Sequence, residues 1–264
     1  MFKRARPEPG TMSAMEIDQH IAALESDGCL LAGAAGRAGL AAPVPSCPGW
    51  RVADLLRHIR YVHGWAATHV RQTPDQVITG LPEAEVLAGG PPDAELLDAY
   101  RAGHHALAET LRSADPALAC ATFLPAPSPL AFWVRRQAHE TAVHRADAEL
   151  AATSTVTPFA PEFAADGIDE LVTGFASRKK QAATTQTLRL HATDTDDRWH
   201  VAIGPGGIQG HRGHGQAGTL LSGPASRLYL LLWNRQDADP EAVTITGDPD
   251  ALRLWHAMVQ IRWT

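Results

Sequence analysis

At 264 residues the chain is long enough for one large domain or two ordinary ones, each with a core of its own. It is 45% hydrophobic and 20% charged, the balance of an ordinary globular protein. A formal net charge of −6 speaks against a nucleic-acid binder, and no apolar run approaches the ~20 residues that span a bilayer.

The opening "MFKRARPEPGTM" is basic with no apolar stretch behind it, so residues 1–12 read as a disordered leader rather than a secretory signal. Residues 15–38 place Ile17, Ile21, Leu24, Leu30 and Leu31 near helical spacing, with Gly28 a weak point in the middle. A Pro/Gly loop, "APVPSCPGW" (42–50), precedes a strong helix at 51–72, where Val52, Leu55, Leu56, Ile59, Val62 and Trp65 fall mostly on one side. Residues 73–92 read as loop, followed by a third helix at 93–114. A fourth runs from 129 to 150, and a shorter helical segment follows it. After about residue 183 the period changes. "TLRLHAT" (187–193) and "WHVAIG" (199–204) alternate like half-buried strands, and "GPGG" marks a hairpin turn before "IQGHRG". A short strand, a Gly-Pro turn, a helix ending "LLLWNR", the strand "AVTITGD" and a closing helix complete the chain. The expected fold is α+β in two domains: a helical bundle over 13–182 and a small α/β domain over 183–264.

The fourth helix carries "RQAHETAVHRAD" (136–147), which looks like the zinc-protease motif H-E-x-x-H but is spaced differently. At about 100° per residue, Glu140 and His144 lie about 40° apart and can point at one ion, whereas His139 lies about 140° from His144 and faces elsewhere. Glu140 is then a ligand rather than a base. Asp147, one turn beyond His144, is placed to orient an imidazole. The second helix offers His58 within its apolar stripe, while His63 falls about 140° away and reads as surface-facing. Bundle metal sites are built from inward side chains on facing helices. His58, Glu140 and His144 would make a His₂Glu set with an open fourth position, the stoichiometry of catalytic zinc. The same residues also fit a surface Glu–His pair and a hydrogen-bonded core histidine.

The segments "VPSCPGWRVADLLRHIRYVHGW" (44–65) and "QAHETAVHRADAEL" (137–150) resemble the mycothiol-dependent maleylpyruvate isomerase family of the DinB superfamily. "LRLHATDTDDRWHV", "LLLWNR" and "VTITGDPDAL" are similar to that family's C-terminal domain. The resemblance implies a DinB-like four-helix bundle, then a small α/β domain related to sterol-carrier folds. It implies His58, Glu140 and His144 as ligands of Zn²⁺ or another divalent ion, with mycothiol as the thiol cofactor. It makes Arg235 the candidate catalytic arginine, whose fork suits a dicarboxylate; a helix-terminal arginine satisfying carbonyls is the competing reading. Ala146 stands where many relatives have tryptophan, so one pocket wall differs. The implied activity is cis–trans isomerisation or mycothiol S-transfer on a small electrophile. A non-catalytic metal- or small-molecule-binding protein and a metal-dependent hydrolase are the alternatives.

The remaining features are expected to be structural. Cys29, Cys47 and Cys120 are widely spaced without C-x-x-C, which suggests no disulfide framework and fits a reducing cytoplasm. Trp50 and Trp65 read as core packing, His104 and His105 as a solvated face, and "HRGHG" (211–215) as a hairpin edge. No nucleic-acid or membrane partner is expected, and the chain is taken as a monomer or small homo-oligomer.

Overall fold

A computed structural model describes residues 15–178 and 182–260; the expected leader, residues 1–12, lies outside them. The chain divides into two compact units, Glu16–Pro158 and Phe159–Gln260.

The first unit is built on four long helices, α1 (Ile17–Ala38), α2 (Val52–Gln72), α4 (Asp93–Arg112) and α5 (Pro129–Thr153), with a short α3 (Glu83–Ala88) between α2 and α4. Leu31, Leu55, Leu56, Ile59, Leu96 and Tyr100 are fully buried among them. Each such leucine contributes about 2 kcal/mol relative to exposure. At the start of α2, the Arg51 N–H donates to the Asp54 carboxylate at 2.8 Å, satisfying an amide that the helix leaves open. At the start of α5, Ser128 Oγ accepts from the Ala131 N–H at 3.1 Å and Pro129 supplies a preset φ. The helix stops where Ser154 turns left-handed, with φ 59°.

α5 is enclosed on nearly every side. Its polar residues Arg136, His139, His144, Arg145, Asp147 and Glu149 are all buried along with its apolar ones. An unpaired buried charge is expensive, so these groups have to find partners. Arg145 donates to the Thr157 carbonyl at 2.8 Å and lies 3.3 Å from Asp27. Glu149 accepts from Thr157 Oγ1 at 2.8 Å and from its N–H at 3.0 Å.

The second unit opens with α6 (Pro161–Asp169), which continues through a π-helical segment (Glu170–Phe175) and a 3₁₀ turn (Ala176–Arg178). Then come β1 (Gln186–Ala192), β2 (Asp197–Gly204), β3 (Gly207–Arg212), β4 (Thr219–Gly223), α7 (Ala225–Leu232), β5 (Thr244–Gly247) and α8 (Asp250–Met258). The strands form one mixed sheet in the order β3-β2-β1-β4-β5, with β1 parallel to β4 and the other pairs antiparallel. Period-2 alternation gives a buried row, Leu188, Leu190, Ala192, Trp199, Val201, Ile203 and Leu221, each 0% exposed. The Trp199 indole donates to Asp169 at 3.1 Å, and Arg212 joins Asp169 to Asp197 at 2.7 and 2.9 Å. Gly210 lets β3 lie against the π-helical segment: a Cβ there would come within 2.4 Å of the Val172 carbonyl oxygen.

The order of elements follows the hydrophobic period closely, and the expected α+β class in two parts is what the chain forms. The change of period near residue 183 marks the first strand. The compact unit itself begins earlier, at Phe159, because α6 packs with α7. No helix among the described residues is long and apolar enough to cross a membrane.

Candidate metal centre

α2 and α5 bring His58, Glu140 and His144 together, with one ligand atom from each lying within 4.8 Å of the others. Glu140 Oε1 is 3.4 Å from His58 Nε2 and 3.3 Å from His144 Nε2, so both imidazoles aim the same nitrogen at one carboxylate oxygen. The His58 and His144 rings meet edge to face, with centroids 4.9 Å apart. The other carboxylate oxygen, Oε2, accepts from Arg136 Nη2 at 3.2 Å. Arg136 therefore anchors Glu140 from one turn earlier on α5 and leaves Oε1 facing the histidines. The two histidine side chains are 5% and 9% exposed and that of Glu140 is 20% exposed, so the cluster reaches solvent along the glutamate.

Asp147, fully buried, fixes the far side of His144. Its Oδ2 lies 2.7 Å from His144 Nδ1, and a hydrogen on Nδ1 would leave Nε2 as the nitrogen able to meet an ion. The same carboxylate accepts from Ser46 Oγ at 2.5 Å and from Cys47 Sγ at 3.6 Å. The "SCPGW" loop is thus tied to α5 through one aspartate. It also carries Trp50, whose ring sits 5.1 Å from His58 and 6.5 Å from His144. Trp50 packs against the helical core, as expected, and also walls the cluster.

Electrostatics suit a cation. Burial pushes the Glu140 carboxyl up, but hydrogen bonds from His144 and His58 and the Arg136 charge hold it well below its usual range. Burial lowers His58, partly offset by its contact with Glu140, which favours the neutral ring a metal requires. Burial also works against charge on His144, yet the Asp147 and Glu140 carboxylates outweigh it and raise that group to about 9. A bound ion would compete with protonation of His144, which the neighbouring carboxylates favour. Two imidazole nitrogens and a carboxylate oxygen form a donor set that fits zinc.

The other residues singled out by sequence are spread more widely. His139 is buried with its ring 6.0 Å from that of His20. His63, expected at the surface, is fully buried and bonds Thr141 Oγ1 at 2.9 Å, because α4 and α5 enclose that side of α2. His69 is a strut: Nδ1 meets the Trp65 carbonyl at 2.9 Å and Nε2 accepts from the Ile78 N–H at 2.9 Å. His104, expected on a solvated face, is 7% exposed and lies against Gly28, whereas His105 is exposed as expected. His211 and His214 are exposed and belong to no three-ligand group among the described residues. Arg235 follows α7 in the second unit, where Nη1 donates to the Trp233 carbonyl at 2.8 Å. Arg136 and Ser46 were not singled out; the four-residue step from Arg136 to Glu140 was the available signal for the former.

The profile of the mycothiol maleylpyruvate isomerase N-terminal domain matches residues 21–149, and that of the family's C-terminal domain matches residues 162–254. The chain belongs to the mycothiol-dependent maleylpyruvate isomerase family. Among solved structures, the crystal structure of the mycothiol-dependent maleylpyruvate isomerase superposes with a TM-score of 0.66 at 14% identity, over 89% of this chain and 95% of that one. A histidine-to-alanine variant of that enzyme gives a TM-score of 0.65 at 13% identity over the same shares. At such identities the likeness is one of fold. No curated protein sequence matches the chain. Both units thus have the architecture of the maleylpyruvate isomerase family, and the His58–Glu140–His144 cluster lies within the stretch matched to its N-terminal domain.

Proposed function

We propose that the chain is a metal-dependent, thiol-using enzyme in which His58, Glu140 and His144 hold a divalent ion, zinc by donor chemistry, and that its thiol is mycothiol. The observation that carries this reading is the convergence of three ligand atoms within 4.8 Å, with Asp147 holding His144 from behind. A metal held by His58, Glu140 and His144 would supply the charge that favours thiolate over thiol at neutral pH, and a thiolate that adds reversibly to a cis-enedioyl acid would make its double bond single, so that rotation and expulsion of the thiol would give the trans isomer.

The chain's own groups prepare this chemistry. Asp147 keeps the His144 proton on Nδ1 and Nε2 available. Arg136 holds Glu140 ionised with Oε1 turned inward, and Trp50 covers the imidazoles. Arg235 is proposed to bind a substrate carboxylate by its motif resemblance; its bond to the Trp233 carbonyl is also what a helix-terminal arginine makes. A substrate that retains the sulfur would make the same site an S-transferase. The metal-loaded protein should convert maleylpyruvate to its trans isomer only with mycothiol present. Isomerisation without thiol would refute the thiol reading, and thiol-independent formation of hydrolysis products would assign a metal-activated hydrolase instead. Formation of a stable thioether product would assign transfer in place of isomerisation.

A further inference from the structure

Residues 73–82 join α2 to α3 without regular structure, and none of residues 73–81 is buried. Burial therefore does little to hold this segment down. A row of hydrogen bonds to its backbone does. The Pro74 carbonyl accepts from the Ala121 N–H at 2.8 Å and the Ile78 carbonyl from the Trp65 indole at 2.9 Å, while the Leu81 N–H donates to the Tyr61 hydroxyl at 2.7 Å. Tyr61, Trp65 and His69 are spaced four apart and share one side of α2. His69 makes the central tie. Its Nε2 accepts from the Ile78 N–H at 2.9 Å, and its Nδ1 lies 2.9 Å from the Trp65 carbonyl oxygen.

These partners fix the tautomer. A backbone N–H only donates and a carbonyl only accepts, so Nε2 carries the lone pair and Nδ1 the hydrogen. A second proton has only Nε2 to occupy, where it would set two donors against each other and end the bond to Ile78. The ring is 0% exposed, with the Trp65 and Trp133 rings each 4.5 Å from it between centroids. We propose that residues 73–82 form an acid-released strap on α2, with protonation of His69 as the trigger. No neighbouring charge compensates the extra proton. Arg71 of α2 is directed at Thr110, Arg136 of α5 is turned to Glu140, Asp75 of the strap is exposed, and Cys120 bonds Trp133. The His69 pKa is lowered by burial and partly restored by the Trp65 carbonyl, and none of those groups moves it. The charged ring is thus favoured only once the strap has left and water reaches it. The strap runs straight into α3, which packs on α2, and Glu83 at the start of α3 favours charge on His58. Release accordingly loosens the α3 side of the candidate metal centre; this consequence rests on the proposed metal site, whereas the release itself does not.

The test follows amide hydrogen exchange of the full-length protein by NMR between pH 7.5 and 5, expressed as protection factors so that the intrinsic pH dependence of exchange is removed. Ile78 and Leu81 should keep constant protection above about pH 7 and lose up to about tenfold per pH unit below the ordinary histidine value of 6.5. Leu56 and Ile59, in the middle of α2, should stay protected. Nitrogen chemical shifts should place the His69 hydrogen on Nδ1 at pH 7 and show the ring titrating below 6.5. His69→Gln, whose carboxamide oxygen can accept from Ile78 without titrating, should make the strap's protection independent of pH. Wild-type protection that stays flat down to pH 5 would overturn the proposal, as would a slope that survives in folded His69→Gln or a protonated His69 ring beside a still-protected Ile78. The wild-type measurements decide the matter even if the glutamine variant does not fold.

Discussion

Replacing Asp147 by asparagine isolates what the carboxylate does for the candidate metal centre. The side chain is fully buried and receives His144 Nδ1 at 2.7 Å and Ser46 Oγ at 2.5 Å. Asparagine has the same shape; its carbonyl can still accept from His144, and its amide can donate to Ser46 Oγ. The fold should therefore survive, and what disappears is the negative charge behind the ring. That charge is among the groups raising His144 to about 9 and strengthening it as a ligand. Losing such a supporting partner lowers metal affinity by about 10- to 100-fold, or about 1.4–2.7 kcal/mol. Zinc titration against a competing chelator should show this weakening in Asp147→Asn, and NMR titration of the metal-free variant should show a lower His144 pKa. A folded variant with wild-type zinc affinity would refute the reasoning, because Asp147 would then be only a packing and hydrogen-bonding group.

The remaining expectations concern stability. Burial raises Asp27 from 3.8 to about 6, opposed by Arg145 and assisted by Glu149. Its folded pKa lies above its unfolded one, so its contribution is fully present below about pH 4 and lost as pH rises through about 6. Relative to wild type, Asp27→Asn should gain up to about 3 kcal/mol between those limits, read by denaturant unfolding at each pH; a constant difference would contradict this. Trp133 is fully buried against Trp65, His69, Phe123 and Phe132, so Trp133→Ala should cost about 3–5 kcal/mol. A loss under about 1 kcal/mol in chemical denaturation would show that the aromatic cluster is not close-packed. Gly210→Ala should destabilise by about 1–3 kcal/mol, since backbone rather than a flexible side chain meets the new methyl; an unchanged melting curve would argue against the close approach of β3 to the π-helical segment.

Sequence periodicity reached the long helices and every strand, and the wheel grouped Glu140 with His144 while turning His139 away. It worked because α2 has one strongly apolar face and β1, β2 and β4 alternate cleanly. It failed where a helix is buried on more than one side. α5 carries polar and apolar residues all round, so no stripe marks its inward face, and His63 and His104 were placed at the surface although neighbouring helices enclose them. α3 has six residues, too few to show a period, and it was read as loop. Trp50 could not be connected to His58 by spacing, because the loop carrying it folds back beside the start of α2 through Val44–Trp50 and Val52–Ala42 backbone bonds. The bond from Ser46 to Asp147 spans 101 residues and leaves no local trace in the sequence.

The measurement that bears most directly on the metal centre is the metal content of the purified chain beside that of His58→Ala. After incubation with zinc and dialysis, elemental mass spectrometry should find close to stoichiometric zinc in the wild type. The variant should have lost it while keeping its helical circular dichroism. A wild-type chain that retains no ion, or a folded His58→Ala variant that retains it fully, would contradict the assignment of His58, Glu140 and His144 as the metal's ligands.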